Sequence, residues 1–238
     1  MKTILIAGAT GQTGLSLLKQ SLALGHQVRI IVRSPQKLPK EIAENPRLTI
    51  IEGSILQLSD QELIDAVIDV DTVLSCLGHV LSFQGVFGNP RRLCTDATKR
   101  LCTAIEATEP TKPAQFILMN TVGVANPDLS EKRTWFEHKV LQLLRWFVPP
   151  HRDNEMAAEF LHKNIGRYHK YIEWCSVRPD SLINDEISEY QIVASPTTGL
   201  FSGQPTARAN VAHFMTKLIC DQGLWEKWRF RMPVIMNQ

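Results

Sequence analysis

Residues 1–18 read MKTILIAGATGQTGLSLL, and within them Gly8, Gly11 and Gly14 stand three apart, directly after the apolar run Thr3–Ala7. A short apolar run closed by glycine suits a strand buried on both faces. Leu15, Leu18 and Leu22 then recur at spacings of three and four as far as Gly25, the pattern of an amphipathic helix and its terminator. A strand-to-helix turn that a dinucleotide approaches closely needs glycine where the backbone takes unusual angles and where a Cβ would strike the pyrophosphate. The helix that follows offers free N–H groups and its positive dipole end to phosphate. Gly8, Thr10, Gly11, Gln12, Thr13 and Gly14 are therefore the expected cradle.

The strand–helix unit repeats along the chain. Further strand-like runs fall at 28–32, 48–51, 72–77, 116–119 and 172–177, with helical patterns between most of them. Such alternation predicts an α/β fold, a Rossmann-type doubly wound parallel sheet with right-handed crossovers. A single NAD(P)-binding domain over 1–238 is expected, with a variable pocket and cap built from about 126–154 and 180–207. In the first of these segments a helix over 131–147 precedes Pro149-Pro150, where the chain must turn. His151, Arg152, Asp153 and Asn154 then read as turn residues, with Asp153 or Asn154 capping the helix that continues through Phe160 and Leu161. A strand and loop over 190–204 and a last helix over 210–219 complete a small C-terminal substrate subdomain.

With 238 residues and 44% hydrophobic composition the chain can bury a substantial core. Its net charge is +2, with 26 basic and 24 acidic residues, so no global field draws it to nucleic acid or to an anionic membrane. The five cysteines include no C-x-x-C pair and fall mostly in core-like segments, which points to a reducing, cytoplasmic setting. No zinc-type spacing is present, so no metal is expected. Trp135, Phe136, Val140, Leu143, Leu144 and Phe147 form an apolar stripe. It is expected to lie in the core, or to form a substrate-facing lid, rather than to lie on a membrane or bind a partner.

Cofactor choice is legible at the end of the second strand. An NAD site places an acid there for the ribose 2′-OH, whereas an NADP site needs a cation for the 2′-phosphate. The run IIVRSPQKL supplies Arg33, Ser34 and Lys37, and the first acid after it is Glu41. A guanidinium grips phosphate in bidentate fashion and Ser34 adds a hydroxyl, so NADP (NADPH) is the expected cofactor.

GATGQTG, Arg33-Ser34, LSCLG (74–78), VRPDSL (177–182) and RANVAHFM (208–215) together resemble the atypical short-chain dehydrogenases. Within that group the chain is similar to NmrA-like proteins and to NADPH-dependent flavin or biliverdin-IXβ reductases. The resemblance implies that residues 8–14, Arg33, Ser34, the Cys76, Leu77 and Gly78 loop, and Thr121 with Val122 line the cofactor groove. It also implies a hydroxyl near the nicotinamide at the end of strand five, a place matched by Thr121. An acid after the third strand, frequent in the family, is replaced here by Gly53-Ser54, and the family's His after strand six by Asp180.

Typical members use Tyr-x-x-x-Lys to protonate a nascent alkoxide. No Tyr of this chain has Lys four residues later; aligning the helix on Glu159 puts His151 in the Tyr place and Glu155 in the Lys place. Reduction of a flavin, a quinone or a similar conjugated acceptor makes a delocalised, weakly basic anion and needs positioning more than a strong acid. The expected function is thus an NADP-dependent oxidoreductase acting on a small-molecule acceptor, with Thr121 orienting it and His151 a second catalytic candidate. The alternative is an NmrA-like redox sensor that binds NADP without turnover and contacts a protein partner.

Overall fold

The computed structural model describes residues 1–79, 88–131, 134–197, 199, 203 and 205–238, and for His138 and Leu144 the backbone only. Parts of two expected segments, 132–133 and several positions of 198–204, therefore lie outside the described residues, as does the Leu144 side chain of the apolar stripe.

β1 (Thr3–Ala7), β2 (Gln27–Val32), β3 (Leu48–Glu52), β4 (Thr72–Ser75), β5 (Ala114–Met119), β6 (Ile172–Pro179), β8 (Tyr190–Val193) and β10 (Val234–Asn237) form one sheet in the order β3-β2-β1-β4-β5-β6-β10-β8. Every neighbouring pair is parallel except β10 with β8. β7 (Leu182–Ile183) and β9 (Thr206–Ala207) pair in a separate small ribbon. The strand order reverses between β1 and β4, and in such sheets the crevice at the carboxyl ends of the strands on either side of the reversal takes the ligand.

Both faces of the sheet are covered. On one, α1 (Gln12–Ala23), α7 (Arg208–Cys220) and α8 (Gln222–Trp228) close over a core that includes Ile4, Ile6, Leu17, Ile30, Val177, Phe214 and Trp225. On the other, α3 (Asp60–Val67), α4 (Leu93–Ala107) and α6 (Pro149–Phe160) pack over Leu5, Val73, Leu101, Phe116 and Trp174. Because β1 and β4 are buried on both faces, their sequences are continuous apolar runs rather than alternating ones. A four-residue α2 (Lys40–Ala43) lies between β2 and β3.

Three local expectations are corrected. β4 ends at Ser75, so Cys76 and Leu77 belong to the loop and not to the strand. Pro149 and Pro150 begin α6 instead of ending a helix, because a first-turn proline gives up only an N–H that has no intrahelical partner. Val148 alone separates α6 from α5 (Trp135–Phe147), and His151, Arg152, Asp153 and Asn154 are helical rather than a turn.

The apolar stripe is the third correction: Trp135, Phe136, Leu143 and Phe147 are exposed, not core. α5 is held by other means. Thr134 and Glu137 form a reciprocal capping box at its start, and Arg145 pairs with Glu155 of α6 at 2.9 Å.

Candidate functional site

The loop after β1 is shaped by contacts within the protein. Gly8 has φ +84°, and a Cβ there would meet the Cys76 carbonyl oxygen at 2.7 Å. A Cβ at Gly14 would fall 2.1 Å from the Gly8 carbonyl oxygen, so α1 can press against the β1 exit only with glycine at that position. Gly8 and Gly14 are thus demanded by the fold itself. Gly11 differs: it is exposed and forms the N-cap of α1, and its N–H bonds back to the Gly8 carbonyl at 3.0 Å. No side chain caps α1 among the described residues, and its first turn holds no acid. The positive pole of a 12-residue helix therefore opens beside Thr10, Gln12 and the buried Thr13, with no acid in its own first turn.

β1 and β2 are adjacent and parallel, with Ala7 opposite Ile31, so the β2 exit lies beside the glycine loop. Arg33 follows β2 directly, is exposed, and has no ion-pair partner among the described residues. Ser34 is the N-cap of the 3₁₀ turn Pro35–Lys37, which carries the exposed Lys37. A bare helix pole and an uncommitted guanidinium on neighbouring strand exits fit the pyrophosphate and the ribose phosphate of a dinucleotide.

On the other side of β1, the Cys76 N–H donates to the Ala7 carbonyl at 2.9 Å. Burial pushes the Cys76 thiol up to about 12, which makes it wall rather than nucleophile. Leu77 packs into the core behind it, while Gly78 is exposed and a Cβ there would meet nothing within 4 Å. One strand further, Asn120, Thr121 and Val122 leave β5. The Asn120 side chain accepts from the Thr121 N–H at 2.9 Å and donates to the Asn154 carbonyl at 3.0 Å, which ties the β5 exit to α6. The Thr121 hydroxyl accepts from the Gly123 N–H at 3.2 Å, and the buried Val122 donates its N–H to the Pro179 carbonyl.

His151 comes to this same exit. Its ring lies under Gly123, where an added Cβ would be 3.1 Å from His151 Cε1 and 3.7 Å from Thr121 Cγ2. The structure so brings Thr121 and His151 together around one glycine. His151 Nε2 is 3.6 Å from Glu155 Oε1, beyond hydrogen-bond reach, and that nitrogen has no hydrogen-bond partner among the described residues.

The residue between them in the helical sequence carries the tightest polar constellation here. Asp153 is buried; it does not cap its own helix but caps α4 across space, accepting from Cys94 N at 2.7 Å and Thr95 N at 2.9 Å. Its Oδ2 also lies 2.9 Å from His79 Nε2, one residue beyond the LSCLG run. Burial pushes the Asp153 carboxyl up, but the hydrogen bonds from His79, Thr95 and Cys94 outweigh it and hold the group below its ordinary value.

His79, Cys94 and Asp153 place potential metal-ligand atoms within 4.8 Å of one another. Burial first, then the Asp153 charge, keeps the Cys94 thiol well above its ordinary range, and both Asp153 oxygens already accept amide donors. With both oxygens engaged, the Asp153 carboxylate serves hydrogen bonding that ties α4 to α6. The His79–Asp153 pair is not legible in the sequence: its members are 74 residues apart and match no spacing motif. The one available signal was a His immediately after the loop that follows β4.

Two cavities border the region. One of about 220 Å³ lies between Val124, Ala125, Pro127 and the α5–α6 side chains Arg145, Glu155 and Glu159. Another, of about 560 Å³, joins Gln12 and Ser16 of α1 to Asn184, Asp185 and Glu186. A larger one, about 670 Å³, opens at the amino ends of the strands around Lys2, Asp71 and Gln115, at the opposite end from the glycine loop. No helix among the described residues is long and apolar enough to cross a membrane.

Known proteins match this geometry. The chain is similar to a short-chain dehydrogenase/reductase of wide type from Veillonella parvula, solved in complex with NADP, at 18% identity and TM-score 0.73 over 99% of this chain and 94% of that one. It is also similar to a candidate NADH-flavin reductase from Streptococcus pneumoniae, at 15% identity and TM-score 0.68 over the whole of both chains. An anaerobillin reductase from Escherichia coli O157:H7 matches at 16% identity and TM-score 0.69, over 99% of this chain and 97% of that one. At these identities the likeness shows the fold, a Rossmann-type sheet. Family membership comes from the sequence match over residues 8–222, a span that runs from the first glycine of the cradle to the start of α8, and by it the chain belongs to the NAD(P)H-binding family.

Proposed function

We propose that this protein is an NADPH-dependent oxidoreductase that passes hydride to a small conjugated acceptor of the flavin or quinone type. The observation that carries the reading is the pairing of a cradle built for a dinucleotide with a helix α6 that offers no alkoxide-protonating couple. Where the Tyr and Lys would stand, His151 and Glu155 lie 3.6 Å apart, and Glu155 is already paired with Arg145. The solved structures described as an NADH-flavin reductase and an anaerobillin reductase support an acceptor of this class.

In this reading the amides of Gly11, Gln12 and Thr13 hold the pyrophosphate at the α1 pole. Arg33, Ser34 and Lys37 hold the 2′-phosphate, which favours NADPH over NADH. Cys76, Leu77 and Gly78 from the β4 exit and Thr121 and Val122 from the β5 exit form the wall along the nicotinamide end. NADPH, when bound, supplies the hydride. The Thr121 hydroxyl, whose oxygen accepts from Gly123 and whose proton remains to donate, orients the acceptor. His151 supports the Thr121 turn from below, as a positioning residue. His79, fixed by the Asp153 carboxylate at 2.9 Å, is the candidate group for protonating the reduced, delocalised acceptor.

The test is NADPH consumption by the purified chain with a panel of flavins and quinones. Steady oxidation supports the enzyme. Tight NADPH binding with no turnover across the panel overturns it in favour of an NADP-binding sensor. Within an active enzyme, His79→Asn should lower kcat while leaving NADPH affinity in place.

A further inference from the structure

The exposed face of α5 has no role in the site just described. Trp135 is 74% exposed, Phe136 61%, Trp146 82% and Phe147 66%, with Leu143 at 58% beside them. At 3.6 residues per turn these five side chains fall within roughly a third of the helix circumference. Aromatic side chains bury about 150–250 Å² each, so four of them exposed to this degree offer about 400–700 Å² per copy. An exposed apolar patch of that size is often an interaction site.

We propose that this face is an interface between two copies of the chain, crossing antiparallel about a two-fold axis near Leu141. Two observations select a second copy as the occupant. The first is area: doubled, the patch amounts to about 850–1,400 Å², reaching the size of specific interfaces. The second is self-complementarity, which a two-fold interface requires. The helix carries the same dipeptide, Trp-Phe, at 135–136 and again at 146–147, equally far from residue 141. An antiparallel crossing sets each amino-terminal pair against the carboxy-terminal pair of the other copy, with Leu143 between them.

The charges on the helix give the interface a signature. Glu137, the acid of α5, is buried in the capping box with Thr134. Lys139, by contrast, lies on the exposed stripe with its Nζ 5.7 Å from the Trp135 ring centroid. Two-fold symmetry brings the two Lys139 side chains near each other without an exposed acid of α5 to pair with either. Added salt, or Lys139→Ala, therefore tightens self-association. An anionic lipid surface would require the opposite sign for both, since Lys139 would then contribute attraction.

The experiment is sedimentation velocity on the full chain from about 1 to about 100 μM, concentrations at which an interface of this size associates. It is run at low and high salt, beside Trp146→Ser, Trp135→Ser and Lys139→Ala, with far-UV circular dichroism as the folding control. The expected result is a concentration-dependent dimer that either tryptophan variant shifts at least tenfold toward monomer, and that salt and Lys139→Ala strengthen. A wild-type monomer throughout, or a dimer that both tryptophan variants leave intact, overturns the proposal. So does a monomer that co-sediments with phosphatidylserine vesicles and is released by salt.

Discussion

Asp153→Asn tests the link between the site and the scaffold most directly. The carboxylate accepts two backbone N–H groups of α4 and lies against His79, all from a buried position. An amide of the same shape keeps one acceptor oxygen and turns an NH₂ toward a donor. One buried N–H is then unsatisfied, a cost of about 1–3 kcal/mol. Losing the negative charge at a helix amino end adds up to about 1–2 kcal/mol in a buried geometry. Together these give roughly 2–4 kcal/mol, and for a chain of this size about 4–16 °C in Tm.

The pH dependence has a definite sign. Because the folded carboxyl is held below its ordinary value of 3.8, its stabilisation is complete above that value and is lost as pH falls through the lower folded pKa. Thermal unfolding followed by circular dichroism, wild type beside variant, should show a constant gap near neutrality that closes on strong acidification. A Tm loss under about 2 °C, or a gap that widens in acid, would refute the reasoning.

Arg33→Ala should weaken NADPH by about 10- to 150-fold, the equivalent of 1.5–3 kcal/mol for a charged hydrogen bond, and leave NADH unchanged; titration calorimetry with both cofactors checks it. Gly14→Ala should abolish cofactor binding and destabilise the fold, since its Cβ would sit 2.1 Å from a backbone oxygen. Gly25→Ala, at φ +79° in open space, should cost only the left-handed strain of about 1–2 kcal/mol and keep NADPH affinity, as paired urea melts and binding curves would show. Arg178 is fully buried, pairs with Glu131 at 2.7 Å and donates to the carbonyls of Met232, Val124 and Ala194. Arg178→Leu should therefore cost about 3–5 kcal/mol in a urea melt, with part of the loss recovered by adding Glu131→Gln.

What the sequence made legible follows the range of the forces involved. Strand and helix periods are local, so the parallel sheet and the glycine turn could be read from residues 1–25 and their echoes downstream. The candidate cofactor residues lie on consecutive strand exits, which gives them short-range signatures. Glycine roles were only half legible: Gly8 and Gly14 respond to Cys76 and to the strand exit, contacts no spacing reveals. Asp153 reads as a cap of its own helix because that is the local choice, whereas its acceptors serve a helix some 58 residues earlier. The α5 stripe has a core-like period, yet periodicity gives the face and not what covers it.

The placement of β10 bears on how the chain can be made. Val234–Asn237 occupies a lane inside the sheet, parallel to β6 on one side and antiparallel to β8 on the other. During vectorial synthesis, β1 to β6 can assemble while the far side of β6 remains an open edge with unpaired N–H and C=O groups. That edge is sealed only when β10 slides in. A chain broken before Val234 would therefore be sticky and template-like, a target for chaperones or proteases.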